Sequence, residues 1–124
     1  MSALLNDLYT IERFEEVSDT LANADVSLNA AHAIFKGHFP EHPVMPGVCQ
    51  LQMLTDVAVQ FLGTELELQS ASNMKFLAML DPNVWQTVHV EVTVKKVEGD
   101  QVSIWGKVFH ENSIFLKFRG TFKK

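Results

Sequence analysis

The stretch that decides the fold of this chain spans residues 37–48 and reads GHFPEHPVMPGV. It holds three prolines and two glycines. Each proline removes a backbone donor and fixes φ, so the run suits neither a regular helix nor a central strand. The glycines permit backbone angles and close approaches that other residues resist. The run therefore predicts a rigid loop, and this loop carries His38 and His42, whose neutral and charged forms are both accessible near physiological pH.

A helix is predicted to follow the loop, over residues 46–62. Pro46 suits the first helical position because its missing N–H would be unpaired there anyway. Apolar residues then recur at spacings of three and four, which places on one helical face Val48, Leu51, Leu54, Ala58 and Phe61. Gly63 suits a C-terminal cap. The free N–H groups of the first turn would point at whatever lies in front of the helix.

The remaining segments are predicted to be strands. They cover residues 8–17, 20–35, 65–79, 84–97, 101–110 and 113–123. The alanine-rich second segment could be helical by propensity, but near-strict alternation from Ala24 to Ile34 favours a strand. A bend is expected at residues 70–73 and a turn at residues 81–83. One-sided alternation indicates an antiparallel sheet with one covered face, so the order of elements predicts an α+β architecture.

The loop and its helix resemble the signature of the hot-dog-fold β-hydroxyacyl-acyl-carrier-protein dehydratases of fatty-acid biosynthesis. The match is dense over about a dozen consecutive positions, so chance is a poor explanation. The resemblance implies a hot-dog fold, with one long central helix wrapped by a curved antiparallel β-sheet, over a single domain of residues 1–124. It implies a hydro-lyase that acts on (3R)-hydroxyacyl thioesters of acyl carrier protein or CoA and needs no cofactor.

The resemblance also assigns roles to residues. His38 takes the place of the family's catalytic base. Val44 and Gly47 take the places of a valine and a glycine whose backbone groups hold the substrate. Phe39 and Met45 could line an acyl pocket, although as loop anchors in the core they need no further role. His42 has the default interpretation of a histidine in a surface loop.

Dehydration requires a base for the C2 proton, an acid for the leaving 3-hydroxyl group and a group that polarises the thioester carbonyl. A histidine such as His38 can be the base when it is kept neutral near pH 7. Backbone N–H groups around Gly47 suit the third task because they are preorganised donors at a helix N-terminus. Glycine at this position also admits the thioester without a Cβ clash.

The family carries a carboxylate five residues after this glycine, contributed by the opposite subunit, and this chain carries Gln52 there. A carboxamide can only donate and accept hydrogen bonds. Three interpretations stay open. Asp56, one turn further on, supplies the acid, or Gln52 positions the hydroxyl while His38 makes both proton transfers. Alternatively, the chain is a non-catalytic acyl-binding or partner subunit, or a hot-dog thioesterase in which Asp56 activates water.

Composition and charge narrow the class of protein. The chain of 124 residues is 47% apolar and 20% charged, which is typical of one folded domain. The net charge of −5 argues against nucleic acid as the main partner. Eight of the ten Lys and Arg residues lie from Lys75 onward. They are interpreted as solvated strand faces, with a basic patch for an acidic carrier protein as the functional alternative.

The single cysteine, the hydropathy and the exposed sheet edge lead to predictions about the compartment, the membrane and the assembly. A single cysteine, Cys49, fits a reducing, cytoplasmic compartment, and a small buried core residue is its expected role. No apolar run has membrane-spanning length, no export signal is evident, and no Cys/His cluster predicts a metal site.

A sheet with one helix leaves an edge uncovered, so a homodimer or a higher oligomer is predicted, with each site shared between two subunits.

Overall fold

A computed structural model describes residues 2–37 and 41–124 of the chain. His38 and Phe39, which carry two of the predicted site roles, lie outside the described residues. The elements are, in chain order, β1 (Tyr9–Glu16), β2 (Leu21–Leu28), α1 (Ile34–Gly37), α2 (Gly47–Leu62), β3 (Glu67–Phe76), β4 (Thr87–Glu98), β5 (Gln101–His110) and β6 (Ser113–Lys123).

The strands form one antiparallel sheet in the order β1-β2-β4-β5-β6-β3, with α2 on one of its faces. Alternate residues of the central strands face the helix and are buried, as in the run Val88, Val90 and Val92. Gly99 turns the chain between β4 and β5 with a φ of 62°, where a side chain would be strained. The predicted α+β architecture, with two strands before the long helix and the others after it, is confirmed.

The ends of α2 follow from local chemistry. Pro46 is the N-cap, with φ −57° and ψ 145°, so the helix begins one residue later than predicted. Gly63 ends the helix in the left-handed conformation at φ 69°, and its N–H donates to the carbonyl of Val59 at 2.9 Å. The helix thus ends where the sequence predicted.

The buried face of α2 includes part of the predicted one, since Leu54 and Ala58 are fully buried, but it is broader. The core side chains of the helix include Cys49, Met53, Leu54, Val57 and Ala58. Of the other predicted residues, Leu51 and Phe61 are half-buried and pack against the core, whereas Val48 is 73% exposed. Apolar residues occur around most of the circumference of α2, so spacing alone does not select a face. The sheet selects it through packing.

The second predicted strand is too long, because β2 ends at Leu28 and the chain then turns. The Asn29 side chain accepts a hydrogen bond from the N–H of Ala31 at 3.1 Å, and the His32 ring accepts one from the N–H of Ile34 at 3.0 Å. These side chains offer the backbone a local alternative to a sheet ladder. Part of the predicted strand is therefore the turn and short helix α1 that lead into the loop.

The other predicted strands are present, although β3 covers only Glu67–Phe76 of the predicted segment 65–79, and β4 begins at Thr87 rather than at residue 84. The ends of β5 and β6 are those predicted, and β3 shows register shifts between Leu68 and Ser70 and between Ala71 and Asn73, at the expected bend. The turn after residue 80 is closed by the Asp81 carboxylate, which accepts from the N–H of Asn83 at 2.8 Å. Among the described helices, none combines the length and apolar character needed to cross a membrane.

Candidate active site

The described part of the loop is tied to the protein at Met45. The Met45 side chain is 1% exposed, and its N–H donates to the carbonyl of Leu80 at 2.8 Å. Its own carbonyl accepts from Nε2 of Gln50 at 3.1 Å. Val44 is half-buried beside it, and His42 is exposed, as expected for a surface loop histidine. The loop backbone is thereby held against the start of α2.

Free backbone donors lie at the N-terminus of α2. The N–H groups of Cys49 and Gln50 donate to the carbonyl of Pro46, at 3.0 and 3.1 Å. The N–H groups of Gly47 and Val48 have no acceptor within the described part of the chain, as the geometry of a first helical turn requires. Two donors are therefore available where the resemblance expects a thioester carbonyl.

The ring of Phe76 packs directly against Gly47. A Cβ atom added at Gly47 would lie 2.5 Å from Cζ of Phe76, closer than carbon atoms approach one another. Phe76 is the last residue of β3 and is 48% exposed. No local pattern of residues indicates this contact, because only the sheet brings the end of β3 to the start of α2.

Asp56 is the most enclosed polar residue of this region, with no exposed surface. Its Oδ1 accepts from the backbone N–H of Ser2 at 3.0 Å and from Nε2 of Gln52 at 3.2 Å. Its Oδ2 accepts from the hydroxyl of Ser2 at 2.6 Å and from the hydroxyl of Tyr9. Four donors thus occupy the carboxylate, which compensates for its removal from water.

Tyr9 is a fixed donor in this cluster. Burial raises the pKa of its hydroxyl well above the ordinary value, and the hydrogen bond to Asp56 raises it further. The side chain is 1% exposed and stays protonated through the physiological range. Sequence reasoning missed Tyr9 and Ser2, which are distant from Asp56 along the chain and carry no motif.

The contact with Asp56 fixes the orientation of Gln52. Nε2 of Gln52 donates to Oδ1 of Asp56, so the amide NH₂ faces Asp56 and Oε1 faces away from it. Gln52 is half-buried. It therefore presents a hydrogen-bond acceptor in a set direction, at the position where the family has a carboxylate.

Two other groups have defined environments. Cys49 is buried, and burial raises the pKa of its thiol, which fits the expected core role rather than that of a nucleophile. Across residues 2–37 and 41–124, no group of three or more His, Cys, Asp or Glu side chains could hold a metal ion.

The architecture is that of the hot-dog fold. A chain of the dehydratase heterocomplex ApeI:P from Xenorhabdus doucetiae superposes with a TM-score of 0.72 at 18% identity, over 92% of this chain and 96% of that one. At this identity the similarity establishes the fold. The predicted hot-dog fold, with its long helix against an antiparallel sheet, is confirmed.

The chain belongs to the ApeI-like family, described as ApeI dehydratase, whose model matches residues 14–107. The 3-hydroxyacyl-acyl-carrier-protein dehydratase FabZ of Sorangium cellulosum is 31% identical over 69% of this chain and 51% of its own length. The FabZ of Streptococcus agalactiae serotype V is 34% identical over 90% of this chain and 68% of its own length. The chain thus spans between half and about two thirds of these two relatives, and the predicted membership of the dehydratase family is confirmed.

Proposed function

We propose that the chain is a dehydratase that converts (3R)-hydroxyacyl thioesters of acyl carrier protein, or of CoA, to enoyl thioesters in fatty-acid or related acyl-chain biosynthesis. One observation carries the proposal: the loop GHFPEHPVMPGV leads into a helix N-terminus with two free backbone donors, in a chain of the dehydratase family. The donors suit the negative charge that develops on the thioester oxygen.

His38 is the proposed base and removes the C2 proton. The backbone of Val44 and Gly47 holds the thioester, and the ring of Phe76 limits the space beside Gly47. Phe39 and Met45 are the proposed lining of the acyl pocket. Because Met45 is buried and tied by two hydrogen bonds, its contribution is a fixed wall rather than a movable one.

Among the interpretations of Gln52, the contacts of Asp56 support the one in which Gln52 positions the leaving group. Oε1 of Gln52 accepts a hydrogen bond from the substrate 3-hydroxyl group. The imidazolium of His38 then returns the C2 proton to the same oxygen, so water leaves and the C2–C3 double bond forms. Asp56 orients Gln52 and, with both oxygens occupied, acts as a positioning residue rather than as the acid.

The thioesterase alternative requires a carboxylate that is aimed at water. Asp56 has no exposed surface and four donors, which argues against that role.

Only an activity assay distinguishes the proposed dehydratase from the non-catalytic alternative, an acyl-binding or partner subunit. Purified protein should be assayed with (3R)-hydroxyacyl thioesters of carrier protein and CoA, with enoyl product and free thiol scored together. Enoyl product supports the proposal, whereas free thiol alone, or neither product, contradicts it.

The role of His38 is tested by His38→Ala, which should abolish enoyl formation. His42→Ala is the matched control, since it removes an exposed histidine from the same loop and should leave turnover unchanged. Circular dichroism should show that both variants are folded. Wild-type turnover in folded His38→Ala would remove this histidine from the mechanism.

The proposed assembly is a homodimer, or a higher oligomer built from it, that pairs through β3. This strand lies at one edge of the sheet and exposes apolar side chains, among them Leu68, Met74 and Phe76. Exposed apolar edges invite pairing, and a two-fold axis pairs like with like. The proposed location is the cytoplasm, which the free thiol of Cys49 supports.

Sedimentation equilibrium tests this assembly. The wild type should be a dimer at micromolar concentration, and Met74→Lys should weaken it by placing like charges across the axis. Val97→Lys, at an exposed apolar residue of β4, is the matched control and should leave the dimer intact. A monomeric wild type would contradict the proposal.

A further inference from the structure

Gln50 is buried in the first turn of α2, and only one end of its side-chain amide is bonded. The residue is 3% exposed, and its Nε2 donates to the carbonyl of Met45 at 3.1 Å. Within residues 2–37 and 41–124, its Oε1 is buried and has no hydrogen-bond partner. A buried acceptor without a partner costs free energy that an apolar side chain of the same size avoids. Packing alone therefore does not account for an amide at this position.

The carbonyl that Gln50 holds lies between two peptide groups with roles in the proposed function. A peptide group is planar and trans, so its carbonyl and its N–H point in opposite directions, and a bond to one fixes the other. The first of the two groups joins Val44 to Met45. Its N–H donates to the carbonyl of Leu80 at 2.8 Å, which fixes the direction of the Val44 carbonyl.

The second of these groups joins Pro46 to Gly47. Its carbonyl accepts from the N–H groups of Cys49 and Gln50, at 3.0 and 3.1 Å, which fixes the direction of the free Gly47 N–H. The group between the two joins Met45 to Pro46 and has no N–H. Among the described residues, only Nε2 of Gln50 donates to its carbonyl. Gln50 thus holds the middle of three successive peptide groups, from Val44 to Gly47, which we call the loop frame.

We propose that Gln50 is a positioning residue for the dehydratase reaction, because its hold on the loop frame sets the Gly47 N–H relative to the Val44 carbonyl. This role rests on the proposed function, in which these two backbone groups hold the thioester. A donor stabilises the charge that develops on the thioester oxygen only if it is aligned before the reaction. Misplacement of a reacting or stabilising group by about 1 Å costs on the order of 10²-fold in rate. The side chain that locks the loop frame therefore controls the rate.

Gln50→Met keeps the length of the side chain and removes the amide. It should lower kcat on the order of tenfold with little change in KM, because the donor is misaligned in the transition state. The melting temperature should stay at or above that of the wild type, since the unpartnered acceptor is removed together with the bond. Gln60→Met, at an exposed residue of the same helix, is the matched control and should leave kcat unchanged. Wild-type kcat in Gln50→Met, or a loss of kcat only in proportion to a lower melting temperature, would overturn the proposal.

Gln50→Glu supplies a readout that a merely structural role would not move. The introduced carboxyl group can donate to the Met45 carbonyl only when it is protonated. The kcat of this variant, divided by that of the wild type at the same pH, should therefore rise as the pH falls. Gln60→Glu should give a ratio that does not depend on pH. A ratio for Gln50→Glu that stays low at every pH would contradict the role.

Unreactive hexanoyl thioesters of carrier protein and of CoA, which lack the 3-hydroxyl group, separate failure of this inference from failure of the proposed function. In the wild type, their binding should move the NMR signal of the Gly47 amide proton, because the thioester carbonyl accepts from it. The movement should be smaller in Gln50→Met and unchanged in Gln60→Met. This pattern in a wild type that forms no enoyl product would refute the proposed function and uphold the positioning of Gly47 by Gln50. No movement in the wild type, or an equal movement in Gln50→Met, would overturn the positioning role.

Discussion

Nε2 of Gln52 lies 3.2 Å from Oδ1 of Asp56, so the side chain at the family's carboxylate position is itself bound to a carboxylate one turn further along α2. The contact joins the proposed site to a buried cluster that includes Tyr9 and Ser2. The side-chain amide of Gln52, which would otherwise rotate, is held with its Nε2 toward Asp56 and its Oε1 toward the proposed site. Substitutions of these residues should therefore affect turnover and stability in separable ways.

Gln52→Glu should raise dehydratase turnover. The new carboxyl group would restore, at the family's carboxylate position and next to Asp56, a group that can carry a proton. It can then protonate the departing hydroxyl, and a positioned acid contributes on the order of 10²-fold or more in rate. Steady-state formation of enoyl product measures the effect.

Gln52→Ala is the control for this prediction and should be slower than wild type, because it removes the group that orients the hydroxyl. A folded Gln52→Glu variant no faster than wild type would show that the missing acid does not limit the reaction.

Asp56→Asn should lower kcat through Gln52, on the order of tenfold, with little change in KM. In a Gln52→Ala background the same substitution should have no further effect on kcat, because residues that act as a unit are not additive. Tyr9→Phe removes one bond to Asp56 without touching Gln52 and should affect stability alone. An additive loss in the double variant would assign Asp56 a role of its own.

Alkaline pH should destabilise the protein through Tyr9. The pKa of Tyr9 is raised in the folded state, so above pH 10, the ordinary value, the unfolded chain loses a proton that the folded chain keeps. The free energy of unfolding should therefore fall with pH, by about 1.4 kcal/mol per pH unit from this residue. This stabilisation is fully present below pH 10 and declines above it.

Tyr9 is the single tyrosine of the chain, so tyrosinate absorbance reports it directly. The absorbance should rise only as the protein unfolds. A tyrosinate signal at the ordinary pKa in folded protein would contradict the buried hydrogen bond. Tyr9→Phe should remove this contribution to the pH dependence.

Two glycines should respond differently to alanine. An added Cβ would lie 2.5 Å from Phe76 at Gly47, and equally close to Leu54 at Gly106. The Phe76 ring is 48% exposed and can rotate away, whereas Leu54 is fully buried. Gly106→Ala should therefore cost about 1–3 kcal/mol of stability, and Gly47→Ala less.

Chemical denaturation compares the two alanine variants, with Phe76→Ala as the partner substitution. Gly47→Ala combined with Phe76→Ala should recover the stability of Phe76→Ala alone, because the clash is gone. A Gly47→Ala variant less stable than Gly106→Ala would show that the Phe76 ring is fixed.

Local chemistry in the sequence determined where most elements begin and end. Pro46 and Gly63 bound α2, because one suits an N-terminus without a donor and the other a left-handed cap. Strict alternation of apolar and polar residues set the limits of β5 and β6. The proline-rich loop before α2 also carried the family signature, since its chemistry is encoded in consecutive residues. These properties depend on neighbours along the chain.

Tertiary structure alone decided which side chains meet. The alternation of the second segment continued past Leu28, but β2 ends there, and the side chains of Asn29 and His32 bond instead to Asp7, more than twenty residues earlier in the chain. The apolar circumference of α2 left its buried face open until the sheet packed against it. Strand register between distant segments placed Lys75 beside Lys117, and the packing of the N-terminal segment against α2 enclosed Asp56 between Ser2 and Tyr9. Such contacts join residues far apart in sequence, so no local pattern encodes them.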